Sequence, residues 1–222
     1  MDQRHETLDD LRLRLAPALA RAAVFDGWSD AALDAAAADE GVDPALARLA
    51  FQGGAMDMIA ALVQRIDADM EARFADGSLG NMKIRERIRT LVWFRLEALR
   101  GVEEAIARAL AIQAMPQNLG RSLALGWSSA DKMWRLAGDT ATDYNHYTKR
   151  AILAGIYAAC LAVFVQDDSM AKADSAAFLD RRIDGVMRFE KAKARLLGGA
   201  GTPAREHFDL ARFLGRLRYP QS

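Results

Sequence analysis

From Ala151 to Val165 the chain reads AILAGIYAACLAVFV, with no charged side chain. Drawn as a helix, Tyr144, Tyr147, Ala151, Ala154, Ala158, Leu161 and Val165 recur at alternating three- and four-residue steps, with Leu153, Tyr157, Cys160 and Phe164 as a second stripe beside them. A helix that is apolar on every face has to be buried. The run is shorter than the roughly 20 apolar residues a bilayer crossing needs, so the pattern predicts the central helix of a helical domain. Its many Ala and Gly residues would let neighbouring helices approach closely. Just before it, DKMWRLAGDTATDYNHYTKR (131–150) sets Trp134, Tyr144, Asn145, His146 and Tyr147 around an Ala-Gly-Asp turn. Aromatics, a histidine and carboxylates at the mouth of a core helix suggest a binding surface, and no catalytic set can be read there.

The rest of the chain punctuates into further helices. Thr7-Leu-Asp-Asp has the form of a capped start, followed by the stripe Leu8, Leu11, Leu15, Leu19 and Ala22, which Phe25-Asp-Gly-Trp28 breaks. Ser29 caps a short Ala-rich helix that Gly41 stops. Asp43-Pro44 is an N-cap followed by proline at the first helical position, opening a third helix to about Phe51. These three have the spacing of a helix-turn-helix. Met56, Ile59, Val63, Ile66 and Met70 define the next helix, and Ile84, Ile88, Val92, Leu96 and Leu99, widened by Trp93 and Phe94, the one after. A helix from about Glu103 stops before Met115-Pro116, because the residue before proline disfavours the helical conformation. Leu119 to Ala137 is helical up to Gly138, and Thr142 can cap the central helix. Ser175 opens another helix with Leu179, Ile183, Val186 and Leu197 on one side. Gly198-Gly-Ala-Gly201 reads as a linker, and Thr202-Pro203 starts a last amphipathic helix that Pro220 limits. No β-alternation of any length appears. The expected organisation is a helical domain over 1–197 with a tether and helix over 198–222.

The 222 residues carry 30 basic and 30 acidic side chains, so the formal net charge is zero. This argues against a protein whose main partner is nucleic acid. In the second helix of the helix-turn-helix, only Arg48 and Gln52 could reach bases or phosphates. Asp39, Glu40 and Asp43 would meet phosphate with the wrong sign. A single cysteine, Cys160, excludes an intrachain disulfide and fits a small core residue. The start, MDQRHETLDD, has neither the apolar core of a secretory signal nor the composition of a transit peptide, so the chain is expected to stay where it is made. His5, His146 and His207 lie on separate segments. Asp143-x-x-His146 has no second such pair to complete a di-metal site, so a structural or surface role is expected and no metal or cofactor. No nucleophile elbow, P-loop, dinucleotide fingerprint or Cys-x-x-Cys occurs. On the last helix Leu210, Phe213, Leu214 and Leu217 oppose Arg205, Arg212 and Arg216. That is the pattern of an interfacial helix, or of an ordinary terminal helix packed on the core.

Asp131-Lys-Met-Trp134, Ala137-Gly-Asp139, Thr142-Asp143-Tyr-Asn145, Tyr147-Thr148 and Arg150-Ala151 resemble the signature of the Coq-nine family, accessory proteins of ubiquinone (coenzyme Q) biosynthesis. The resemblance continues through Ala154-Gly-Ile-Tyr157, Gln166-Asp-Asp-Ser169 and Phe178-Leu179, and takes in Met115-Pro116, Asn118 and Gly27-Trp28. It covers the chain from about Trp28 to Lys193.

The resemblance implies an all-α, TetR-like domain without the DNA-binding role, and a protein that is not itself an enzyme. It implies an apolar pocket for an isoprenoid lipid or quinone intermediate, with Trp93, Leu96, Trp127, Met133, Ile156, Tyr157 and Phe164 as candidate lining. It implies a partner patch for the di-iron hydroxylase acting on demethoxyubiquinone, at Met115, Pro116, Asn118, Asp131, Trp134 and Arg135, with Trp134 exposed. It further implies a homodimer. The start, unlike a mitochondrial presequence, resembles that of a bacterial member, peripheral to the cytoplasmic face of the inner membrane. There Leu210, Phe213, Leu214 and Leu217 would meet an anionic membrane surface. The competing class is a TetR-type ligand-responsive transcription regulator, which would need a basic N-terminal face. A metal-dependent enzyme would need bound iron or zinc.

Overall fold

In the computed structural model, residues 6–140 and 144–198 are described, with side chains at 6–140, 146–186 and 188. Every regular element among them is helical. Among the described residues the nine α-helices are α1 (Leu8–Asp26), α2 (Asp30–Asp39), α3 (Pro44–Ala50), α4 (Ala55–Arg73), α5 (Ile84–Glu97), α6 (Glu103–Gln113), α7 (Leu119–Leu136), α8 (Tyr144–Phe164) and α9 (Ala173–Gly198). This is the all-α class expected, and a three-helix start followed by longer helices is consistent with a TetR-like fold. Of the tether and amphipathic helix expected over 198–222, Gly198 is the last residue of α9, and the rest, with Leu210, Phe213, Leu214 and Leu217, lies outside the described residues, as does Thr142. The chain divides into two units, Met1–Ile183 and Asp184–Ser222. The described part of the second is the last stretch of α9.

Local chemistry sets the helix ends. Thr7 and Asp10 form a reciprocal capping box, with Asp10 N–H donating to Thr7 Oγ1 at 3.1 Å and Thr7 N–H to Asp10 Oδ2 at 3.2 Å. Asp43 accepts from the amides of Ala45 and Leu46 at 2.8 and 3.2 Å, with Pro44 in the first turn where no amide is needed. Pro17 lies inside α1 without ending it. Proline has no N–H to offer the carbonyl four residues back, and Arg65 of α4 takes its place, donating to Leu13 O at 3.4 Å.

Leu11, Leu15 and Leu19 of α1, Ala32, Leu33, Ala36 and Ala37 of α2, and Ala47 and Ala50 of α3 pack the N-terminal core. Trp28 ties this bundle to α6, with its indole N–H donating to Ala105 O at 2.8 Å. Further on, α4, α5, α7 and α8 close around Leu91, Leu96, Met133, Leu153, Tyr157 and Phe164.

The central helix departs from the sequence expectation. It is not buried all round. Arg150, Leu153, Tyr157, Cys160 and Phe164 face the core, while Ala151, Gly155, Ala158 and Ala162 are exposed. By length and composition His146–Phe164 would suffice to cross a membrane, yet only 22% of its apolar window is buried within the chain. Hydropathy pattern reports that a face is apolar and says nothing of whether its cover comes from the same chain. At the α8–α9 corner, Asp167 Oδ2 accepts from both the amide and the hydroxyl of Ser175 at 2.7 and 2.5 Å, and its other oxygen accepts from Ser169. Burial opposes the charge, but these hydrogen bonds hold the Asp167 carboxyl well below the usual range. Ala171 and Lys172 are left-handed, at φ 55° and 57°, an uncommon state for two successive non-glycines. Lys172 Nζ fixes the turn on Asp167 O at 2.7 Å and on Glu103 at 3.0 Å.

Candidate functional site

The end of α7 and the start of α8 are joined by a buried ionic clamp. Gly138, at φ +90°, ends α7 in a Schellman-type turn in which Asp139 N–H donates to Trp134 O at 2.9 Å. A side chain here would be strained by the backbone and would press on Arg87 Nη1 at 3.0 Å. Arg87 holds the turn from outside, donating to Ala137 O and Gly80 O, both at 2.8 Å. Asp139 is thereby delivered to two cations of α8, Lys149 Nζ at 2.6 Å and Arg150 Nη1 at 3.0 Å. Arg150 is 1% exposed. It also donates through Nε to Asp131 at 2.6 Å and through Nη1 to the His146 carbonyl at 3.1 Å. Burial would raise the Asp139 pKa, but the hydrogen bonds from Lys149 and Arg150 outweigh it and hold the carboxyl below its ordinary value.

Trp134 belongs to the same clamp, and this corrects the expectation of an exposed side chain. It is half-buried against the core. Its indole N–H donates to Lys149 O at 3.0 Å, and Lys149 Nζ lies 5.3 Å from its ring centroid. A tryptophan beside an accepting carbonyl buries its body and its donor together, which the spacing Asp131-x-x-Trp134 could not reveal. Asp131 is shared between Arg150 and the exposed Arg135, whose Nε lies at 2.8 Å. Met115 and Pro116 are exposed. Asn118 is half-buried and donates to Ile112 O at 2.8 Å. The structure thus joins Asp131, Trp134 and Arg135 in one network, while Met115, Pro116 and Asn118 lie at the opposite end of α7.

A second polar cluster lies in the core of the same unit, and sequence reasoning missed it. Arg95 of α5 and Asp67 of α4 are 1% and 2% exposed and paired through Arg95 Nη1 and Asp67 Oδ1. Ser129 of α7 accepts from Arg95 Nη2 at 3.1 Å and donates to Asp67 Oδ2 at 3.2 Å. The guanidinium lies 4.8 Å from the Tyr157 ring centroid. Burial works against its charge, but Tyr157 and Asp67 more than offset this, and the Arg95 pKa is raised. One signal was legible. Arg95 stands in register with Ile88, Val92 and Leu99, and Asp67 with Val63 and Met70, so each of two apolar stripes carries one charge of opposite sign.

Of the candidate lipid-lining residues, Leu96, Met133, Tyr157 and Phe164 share one buried core, and Trp93 and Ile156 pack against it half-exposed. Trp127 lies apart, its ring 5.9 Å from that of Tyr147 and 6.5 Å from that of His146. With the exposed Leu119 and Leu123 at successive four-residue steps before it, Trp127 continues an apolar strip along α7 to Tyr147, which is 61% exposed. Cys160 is fully buried and its thiol is pushed up to about 11 by that burial, which makes it an inert core residue. Among the described residues no group of three His, Cys, Asp or Glu side chains could hold a metal ion. Helix α3 turns Leu46 and Leu49 outward, and its Arg48 is engaged by Asp34 at 2.6 Å.

Fold and clamp together define a helical domain of TetR-like order whose most elaborate chemistry lies in α7 and α8. That stretch also falls within a match to a known family. The COQ9 family profile matches residues 119–190. The chain is similar to the ubiquinone biosynthesis protein COQ9 of Rattus norvegicus, 32% identical over 193 residues, covering 84% of this chain and 62% of the relative. To the Homo sapiens protein of that name it is 30% identical over 192 residues, covering 84% and 60%. Ubiquinone biosynthesis protein COQ9-B of Xenopus laevis is 41% identical over 80 residues, covering 36% and 27%. The chain is thus similar to COQ9 proteins over most of its length, and it spans about three fifths of the length of the rat and human relatives.

Proposed function

We propose that the protein is a lipid-binding accessory factor of ubiquinone biosynthesis, without catalytic chemistry of its own. In this reading it holds an isoprenoid quinone intermediate in an apolar interior and presents it to a membrane-associated hydroxylase acting on demethoxyubiquinone. The observation that carries the reading is the similarity to COQ9 proteins, with a family profile match that takes in the helices bearing the buried clamp. The physical logic agrees. A ring with a long isoprenoid tail is nearly insoluble in water, and an apolar site lowers the cost of moving it from the bilayer to an enzyme. The core around Leu96, Met133, Tyr157 and Phe164, flanked by Trp93 and Ile156, supplies such surroundings. Exposed apolar side chains at Met115, Leu119 and Leu123 offer a surface for the hydroxylase beside Pro116. The protein would work at the cytoplasmic face of the inner membrane, with 203–219 as its contact with anionic lipid.

The exposed face of α8, Ala151, Gly155, Ala158 and Ala162, suits close approach of a second copy, and a homodimer is part of the proposal. The regulator class draws no support from α3, which offers leucines and an engaged arginine where a DNA-reading helix needs free donors. Mass spectrometry of lipids released from natively purified protein tests the reading. Co-purifying isoprenoid quinones or their ring precursors support it, and bulk phospholipid alone, or salt-dependent sequence-specific binding to DNA, overturns it.

A further inference from the structure

The Arg95–Asp67–Ser129 cluster is more than the fold requires. A buried ion pair can be exchanged for apolar residues of similar volume at little or no loss of stability. The N-terminal bundle of this chain is packed by Leu and Ala with its ion pairs outside. The cluster is also incomplete. Arg95 Nε has no hydrogen-bond partner although it is fully buried, and an unpaired buried donor is costly. The remaining groups are committed, since Asp67 accepts from Arg95 and Ser129, and Lys132 stands 3.9 Å from it and 3.5 Å from Glu71. The unpaired N–H belongs to a guanidinium that already lies against Tyr157, inside the apolar core to which Leu96, Met133 and Phe164 belong.

We propose that Arg95 is the polar pole of the lipid site: its Nε–H donates to an oxygen on the head group of an apolar-tailed ligand, beside the Tyr157 ring. The inference rests on the lipid-binding reading above and specifies the ligand class. Guanidinium only donates, so the ligand atom is an acceptor. Asp67 already balances the charge of Arg95, so a neutral carbonyl or ring oxygen fits. A phosphate would bring a second negative charge into the core with only the shared Lys132 to meet it. Quinone rings and neutral aryl ketones or ethers meet this description, and phospholipid head groups do not.

The experiment uses the full chain and two probes with the same tail, a decyl-substituted benzoquinone and decylbenzene, with binding of each followed by titration calorimetry. Wild type is expected to bind the quinone at least about tenfold more tightly than the hydrocarbon, the scale of one hydrogen bond to a charged group. Arg95→Met combined with Asp67→Leu removes both charges together and is expected to abolish the preference while leaving decylbenzene affinity within about twofold. Arg95→Lys keeps a cation opposite Asp67 but lacks Nε. It should lose the preference too, and it serves if the double variant does not fold. A preference retained in the folded variants overturns the assignment of Arg95. Equal binding of both probes by wild type overturns the polar pole and leaves lipid binding standing. Binding of neither probe removes the lipid reading and the pole with it.

Discussion

The three-helix start and the α7–α8 pair solve the same packing problem in different ways. In α1–α3 the interior is Leu and Ala, and the ion pairs Arg14–Glu6, Arg21–Asp39 and Arg48–Asp34 stand outside with side chains 38–63% exposed. In α7–α8 the ions are inside, with Arg150, Asp139 and Asp131 at 2%, 7% and 18%. Surface pairs contribute little to stability, so the N-terminal bundle would stand without its charges. Buried ions are different, because each depends on its partners and the loss of one strands the rest. Two regions of one chain thus tolerate change unequally, and the family profile match takes in the intolerant one.

The largest effect should come from Arg150→Ala, which leaves Asp139 and Asp131 short of a partner inside the protein. It should cost about 3–5 kcal/mol in a urea titration, and a loss below about 1 kcal/mol would remove the clamp from the account. Trp134→Lys comes next. It deletes a half-buried ring and its hydrogen bond to Lys149 O, for about 1–3 kcal/mol, and an unchanged melting temperature would restore the picture of an exposed partner residue. Acid should weaken the clamp as well. The carboxyls of Asp139 and Asp167 are depressed in the folded state. Their contribution is therefore complete above the unfolded value of about 3.9 and is withdrawn as pH falls below it towards the folded values. Asp139→Asn should flatten the fall in stability below about pH 4, and an unchanged acid limb would count against the ionic clamp. The smallest effect belongs to Arg21→Ala on the N-terminal bundle, within about 0.5 kcal/mol, and a cost like that of Arg150→Ala would dissolve the contrast.

Much of the fold could be read from the residues because helix ends are local events. Thr7, Ser29, Asp43-Pro44 and Gly138 each act within a few positions of the end they set, and all four ends stand where the pattern places them. The site was less legible. Asp67, Arg95 and Ser129 meet only after α4, α5 and α7 pack, and no short spacing links them. Trp134 was misjudged because its acceptor, the Lys149 carbonyl, lies on the next helix. The all-round apolar character of 151–165 was plain, but only one face of it meets this chain's own core. The other was invisible as a separate surface until α8 was placed.

The central claim, that the protein serves ubiquinone synthesis by presenting an intermediate, is tested most directly in the organism that makes it. With the gene deleted, quinone extraction should show ubiquinone falling and demethoxyubiquinone accumulating. The wild-type chain should reverse both changes, and a folded chain that cannot hold the lipid should not. A quinone profile unchanged by the deletion would contradict the account.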